Sequence, residues 1–195
     1  MTPLKASELL ERLEEAVPEL WGAVAALSDG IILPIAQNSA ADVARVACGR
    51  AMLAANIFAV LHTNELLASK VSASDQEAVI DKLTRMLTWM TRVGVGSSVP
   101  DTPEDQSPEW SARYKALDSF VESNAAIRAK MRRSWRVRVF CLFKNRSWFD
   151  TAFVQLCATH LLRSENIVLP EEPVRRFAAE TVEAVYSYGR TLSAA

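Results

Sequence analysis

Apolar residues recur at three- and four-residue spacing over most of the chain, which is the pattern of amphipathic helices. The first such stretch comprises Leu9, Leu10, Leu13, Ala16, Val17, Leu20, Trp21, Val24 and Leu27. Pro18 lies inside it and cannot donate to the carbonyl of Glu14, so a kink or break is expected there. Asp29-Gly30 is expected to end this helix, because glycine tolerates a left-handed cap.

A second helix is predicted from a capping pair, Ser39 and Asp42, to about Ser69. Ala51 to Leu61 is apolar except for Asn56, which predicts the central buried helix of the fold. Since a bilayer span needs about 20 apolar residues, this run indicates a core helix and no membrane span. Ile31 to Ile35 is short and apolar and is expected to be extended.

Four further helices complete the prediction. A Ser74–Glu77 capping box begins the third, Ser107-Pro108 the fourth, Ser147 with Asp150 the fifth, and Pro170 to Pro173 the last. Their expected buried stripes are Val79, Ile80, Leu83, Met86, Leu87, Met90 and Val93; Trp110, Tyr114, Leu117, Val121, Ile127 and Met131; Phe149, Ala152, Phe153, Leu156, Cys157, His160 and Leu161; and Val174, Phe177, Ala178, Thr181, Val182, Val185 and Tyr186. The predicted fold class is all-α, a compact bundle of about six helices, possibly two three-helix halves.

Residues 97–107 form a polar, acidic, proline-rich segment that is predicted to be a flexible linker between the two halves. Each half is below the usual domain size, so residues 1–195 are predicted to form one helical domain.

One short sequence occurs in two similar forms. Residues 28–34 read Ser-Asp-Gly-Ile-Ile-Leu-Pro, and residues 164–170 read Ser-Glu-Asn-Ile-Val-Leu-Pro. The helices that flank the two segments match poorly. The likeness is therefore explained better by two helix ends that require the same kinds of residues than by a duplication.

The charge is unevenly distributed. The net charge of the 195 residues is −1, yet residues 128–146 contain eight Lys and Arg and no Asp or Glu. The remaining residues therefore hold 14 basic and 23 acidic residues. The chain is an acidic body with one concentrated basic segment.

The basic segment predicts contact with nucleic-acid backbone, since guanidinium groups bind phosphate and aromatic rings stack on bases. Trp135, Phe140, Phe143 and Trp148 are interleaved with its charges. The candidate binding residues are Arg128, Lys130, Arg132, Arg133, Arg136, Arg138, Lys144 and Arg146, with Trp135 as a stacking residue. Intramolecular pairing with the acidic body, a protein partner and an anionic membrane are the alternatives. Residues 135–143 alternate as in a strand, but a helix is favoured because a partner strand is hard to find.

The expected function is a non-catalytic helical subunit that binds RNA or single-stranded DNA within a larger nucleoprotein assembly, with protein subunits as further partners. The small helical subunits of CRISPR effector complexes are an analogy at the level of fold alone. The alternative is a protein-binding adaptor or inhibitor that uses the acidic first helix or the acidic linker. The first helix contains Glu8, Glu11, Glu14, Glu15 and Glu19 on its predicted solvent side.

No enzymatic site, cofactor or metal is expected. The sequence has no phosphate-binding glycine loop, and no carboxylate is recognised in an apolar context. Cys157 and His160 could meet on one helix face, but a closed zinc site needs four ligands. Cys48, Cys141 and Cys157 lie in apolar sequence, and the start of the chain does not resemble a signal peptide. A reduced, cytoplasmic protein is therefore expected.

Overall fold

The computed structural model describes residues 6–37, 41–68, 70–94, 108–133 and 146–193. Helices account for nearly all of these residues, and no strand occurs among them, so the all-α prediction is confirmed. The six helices are α1 (Ala6–Leu27), which continues through a π-helical turn (Ser28–Ile32) into a last α-helical turn (Leu33–Ala36), α2 (Ala41–Leu67), α3 (Ala73–Gly94), α4 (Pro108–Arg133), α5 (Arg146–Ser164) and α6 (Glu171–Ser193).

The second helix is the centre of the fold, as the sequence predicts. From Ala51 to Thr63 every residue of α2 is buried except Leu53, which is partly buried. Helices α3, α4, α5 and α6 all pack on α2, and α6 packs in addition between α1 and α5. A helix that is apolar on every side therefore has neighbours on every side.

The first helix does not end where the sequence predicts. Helix α1 runs through Pro18 without a break, and since Pro18 is exposed, the carbonyl that loses its partner can bind water. Gly30 does not end the helix either. Ile31 and Ile32 are 8% and 0% exposed, and the helical backbone carries both into the core. The segment from Ile31 to Ile35 is consequently helical and not extended.

Helix α3 begins with a serine N-cap, as predicted, but the capping serine lies two residues before the predicted one. Ser72 Oγ accepts a hydrogen bond from the backbone N–H of Asp75 at 3.2 Å and donates to its carboxylate at 2.8 Å. Ser72 is thus the N-cap, and the Ser74–Glu77 prediction is wrong. Helix α5 ends in a left-handed cap at Asn166, with φ 58° and a 3.0 Å bond from the N–H of Ile167 to the carbonyl of Leu162.

Several predictions fall outside the described residues. They concern the linker at 97–107, the conformation of 135–143, and the caps at Ser39 and Ser107.

Two helical segments are long and apolar enough to cross a bilayer by length and composition alone, although the sequence was expected to contain none. They are Ala6–Ala36 and Asp42–Leu67. A buried core helix meets the same criterion, and α2 is buried among its neighbours in this fold.

Candidate nucleic-acid interface

The last two turns of α4 contain four of the eight residues of the basic segment. Arg128 and Arg132 are four residues apart and share one face of the helix, whereas Lys130 and Arg133 project from the opposite side. Arg128 is 2% exposed and Arg132 is partly buried, while Lys130 and Arg133 are exposed. The end of α4 therefore has an inner face and an outer face with the same charge and different surroundings.

On the inner face, Arg128 bridges two carboxylates. Its Nη2 lies 2.6 Å from Oδ1 of Asp150, and its Nη1 lies 3.0 Å from Oε1 of Glu65. The hydroxyl of Tyr186 donates to Oδ2 of Asp150 at 2.6 Å, so both oxygens of this buried carboxylate have a partner. Together these contacts join α2, α4, α5 and α6.

Two aromatic rings flank the Arg128 guanidinium. Its central carbon lies 5.2 Å from the ring centroid of Phe58 and 5.6 Å from that of Phe153. The negative faces of aromatic rings attract a cation, and this attraction is larger where water is excluded. The rings thus help to hold a charge that is almost completely removed from solvent.

Arg132 completes the arrangement. Its two terminal nitrogens bind the two oxygens of Glu65 at 2.7 and 2.9 Å, which is the planar bidentate geometry of an arginine–carboxylate pair. Its guanidinium lies over the ring of Phe149 at 5.4 Å. Glu65, Arg128, Arg132, Asp150 and Tyr186 are called the buried ion-pair cluster below. The cluster contains two positive and two negative charges, so Arg128 and Arg132 follow the intramolecular alternative.

The carboxylates of the cluster were missed in the sequence. Asp150 was expected to cap α5 and not to lie in apolar surroundings, but it is 0% exposed and binds Arg128. Helical spacing could have shown that Asp150 lies on the core face of α5, because Phe153, Val154 and Cys157 follow it at three, four and seven residues and are all buried. Such a carboxylate on the core face of a helix requires a cation from another helix.

On the outer face, Lys130 and Arg133 make no ion pair with any carboxylate in the part of the chain that the structure describes. Their position in the last turn of α4 is favourable by itself, since cations offset the negative end of the helix dipole. Arg136, Arg138, Lys144 and Trp135 lie outside the described residues, and so does the side chain of Arg146, the first residue of α5.

Cys157 and His160, which could meet on one face of α5, lie in different environments. Cys157 is buried, and burial raises the pKa of its thiol to about 12. His160 and Leu156 are exposed, so the prediction that both face inward is wrong. Within the described ranges, no group of three or more His, Cys, Asp or Glu side chains is arranged to hold a metal ion.

The glutamates of α1 lie on the surface, as expected for its solvent side. Glu14 forms an ion pair with Lys82 of α3. Lys82 and Arg85 are both partly buried, and Arg85 binds Asp81 at 2.8 Å. Burial alone would raise the pKa of Asp81, but the bonds from Arg85 and Tyr114 outweigh it and lower that pKa.

Comparison of the chain with protein-family models, with curated proteins and with solved structures found no match.

Proposed function

We propose that the protein is a non-catalytic helical subunit that binds the backbone of RNA or single-stranded DNA through the outer face of its basic segment. The observation that supports this proposal is the contrast between the two faces of α4. Arg128 and Arg132 are neutralised by Glu65 and Asp150, whereas Lys130 and Arg133 are exposed and have no carboxylate partner among the described residues.

The buried ion-pair cluster gives the outer face a fixed position. It ties the end of α4 to α2 through Glu65 and to α5 through Asp150. Lys130 and Arg133 therefore project from an anchored helix end, and less ordering of the protein is needed when they meet phosphates. The other four basic residues of the segment follow in sequence with no acidic residue between them. Protein subunits of a larger assembly are further proposed partners, because the two exposed cations of α4 form only a short positive surface.

The test is the salt dependence of binding. Each phosphate neutralised on a single strand contributes about −0.7 to the slope of log affinity against log salt. Replacing Lys130→Gln and Arg133→Gln together should weaken binding and make that slope shallower by about 1.4. The matched control is Lys115→Gln with Arg175→Gln, which removes two exposed positive charges of the same types from elsewhere on the surface. Fluorescence anisotropy with labelled RNA and DNA at two salt concentrations measures both effects.

Two results would contradict the proposal. The first is no binding of the wild-type protein to either nucleic acid at low salt. The second is an equal loss in the control variant, because binding would then follow net charge and not the outer face of α4.

The alternative function, an adaptor or inhibitor that binds a basic protein, is supported by the acidic surface of α1. Glu8, Glu11, Glu15 and Glu19 are exposed and three or four residues apart, so they form one line along the helix. This alternative predicts that Lys130→Gln/Arg133→Gln leaves partner binding unchanged, while Glu11→Gln/Glu15→Gln weakens it in pull-down experiments.

A further inference from the structure

A groove of about 430 Å³ lies where α1, α5 and α6 meet. Half of its lining residues are apolar, namely Ala23 and Leu27 of α1 and Ala179 and Ala184 of α6. Three of these four are alanines, whose side chains end at Cβ and leave room between the helices. The volume lies within the range of about 300–1,000 Å³ that is typical of ligand pockets. A side chain of another molecule can therefore enter between the three helices.

Carboxylates border this groove on two sides. Glu180 and Glu183 of α6 belong to its lining. Glu19 is exposed and lies one turn before Ala23 on the same side of α1, at the end of the groove. Glu180 binds Arg176, whereas Glu19 and Glu183 have no ion pair with any cation in the described ranges. The groove is consequently apolar inside and negative at its rim.

We propose that the groove holds an apolar side chain of a basic helix that belongs to a protein partner. The inference rests on the part of the proposed function that places the protein among other protein subunits, and it identifies the surface that one of them contacts. The apolar lining favours an aliphatic anchor, since such a side chain is removed from water when it enters the groove. Glu19 and Glu183 favour Lys or Arg beside that anchor, because opposite charges face each other across interfaces. Nucleic acid does not fit this surface, since its phosphates and these carboxylates repel each other.

The spacing of the carboxylates along α1 indicates that the partner element is a helix. Glu11, Glu15 and Glu19 are exposed and follow one another at four residues, which is about 6 Å along the helix axis. Lys or Arg side chains four residues apart on another helix repeat at the same distance. A helix that lies along α1 can therefore place one basic residue beside each carboxylate and an apolar residue in the groove. Recognition of this kind, a helix laid into a groove, is a recurrent mode of peptide binding.

The probe is a labelled, end-capped, alanine-based helical peptide of about 18 residues with one lysine per turn and two leucines one turn apart. Its partner in the comparison is the same peptide with both leucines replaced by alanine. Burying a leucine is worth about 10- to 150-fold in affinity, so the wild-type protein should bind the leucine peptide at least about 10-fold more tightly. Ala23→Trp fills the groove and should abolish this preference. Ala112→Trp is the control, since Ala112 is exposed on α4 and does not line the groove.

The carboxylates are tested separately. Glu19→Gln/Glu183→Gln should weaken binding of the leucine peptide about 2- to 30-fold, the worth of two exposed ion pairs, and this loss should shrink as salt is added. The control is Glu77→Gln/Glu122→Gln, which removes two exposed glutamates from α3 and α4. Fluorescence anisotropy measures the affinities, and thermal melting shows whether any loss reflects unfolding.

Three results would overturn the inference. The first is equal affinity of the wild type for the two peptides, and the second is an equal loss in the Glu77→Gln/Glu122→Gln control. The third is a wild-type dimer in sedimentation equilibrium that Ala23→Trp dissociates, because the occupant would then be a second copy of this chain.

Binding of labelled RNA, measured on the same samples, separates this inference from the proposed nucleic-acid function. Ala23→Trp and Glu19→Gln/Glu183→Gln should bind RNA as the wild type does. If the peptide fails to bind while RNA binds, the inference is wrong and the nucleic-acid function stands. If the peptide binds as expected while RNA does not bind at low salt, the nucleic-acid function is wrong and the groove remains a protein-binding site.

Discussion

Replacing Arg128 with methionine should destabilise the protein more than the same change at Lys130, Arg132 or Arg133, the other basic-segment residues whose side chains the structure describes. The substitution keeps much of the apolar volume and removes the cation, which leaves Asp150 0% exposed, bonded to the hydroxyl of Tyr186 and with Arg132, at 3.9 Å, as its remaining cation among the described residues. Breaking a buried ion pair by removing one partner costs about 3–5 kcal/mol. In a chain of this length, each kcal/mol lowers the melting temperature by about 2–4 °C. The expected loss is therefore about 6–20 °C.

A double variant isolates the pair itself. Asp150→Asn removes the buried negative charge and keeps the shape of the side chain, so Arg128→Met/Asp150→Asn leaves no unmatched charge between these two positions. Glu65 retains both bonds to Arg132 in that variant. The cost of the double substitution should fall below the sum of the single costs by about 1–3 kcal/mol, as for residues in one network. Chemical denaturation followed by circular dichroism gives all four free energies of unfolding.

The control is Arg176→Met. Arg176 binds Glu180 one turn away on α6 at 2.7 Å, but its side chain is 69% exposed. An exposed pair of this kind contributes about 0.5 kcal/mol or less. Additive free energies in the double variant, or a loss for Arg128→Met no larger than that for Arg176→Met, would refute the assignment of Arg128 to a buried ion pair.

Two further predictions follow from local features of the helices. Gly30 is exposed and helical and a Cβ there would meet no atom within 4 Å, so Gly30→Ala should stabilise the protein by about 0.5–1 kcal/mol. Asn166→Ala should destabilise it by about 1 kcal/mol, because Asn166 has a positive φ that alanine adopts less readily. Denaturation curves give the change in free energy of unfolding for both variants, and changes of the same sign would contradict these two predictions. Burial raises the pKa of Cys157 to about 12, so at pH 8 only about one molecule in ten thousand carries the reactive thiolate. Labelling of Cys157 by iodoacetamide should therefore be negligible in the native state and should increase on unfolding. Fast labelling of Cys157 in the native protein would contradict its burial.

The helices could be predicted from the sequence because each buries a recognisable stripe. Val79, Leu83 and Leu87 on α3 and Val174, Phe177 and Val182 on α6 are all at most 2% exposed. Spacing along one helix is local information, and it depends little on what the helix packs against.

Pairings between helices could not be predicted in the same way. Glu65 and Arg132 are far apart in sequence, and nothing local to either residue identifies the other. The sequence therefore left open which of the eight basic residues pair within the chain, and α4 directs two of the four described on it inward. The two similar segments show the same limit. Asn166 adopts the left-handed cap, but the helix continues through Gly30, because Ile31 and Ile32 are drawn into the core.

The π-helical turn also corrects the phase of a long buried stripe. Leu20, Val24, Ser28, Ile32 and Ala36 follow one another at intervals of four, and none is more than 4% exposed. In a regular α-helix each step of four residues over-rotates by about 40°, so five such positions would spiral by about 160° and turn the last ones toward solvent. A turn closed by i to i+5 bonds takes up an additional residue and absorbs most of this drift. Deleting one residue between Ser28 and Ile32 would accordingly remove the additional residue, so that a regular α-helix would keep Leu33–Ala36 facing the core.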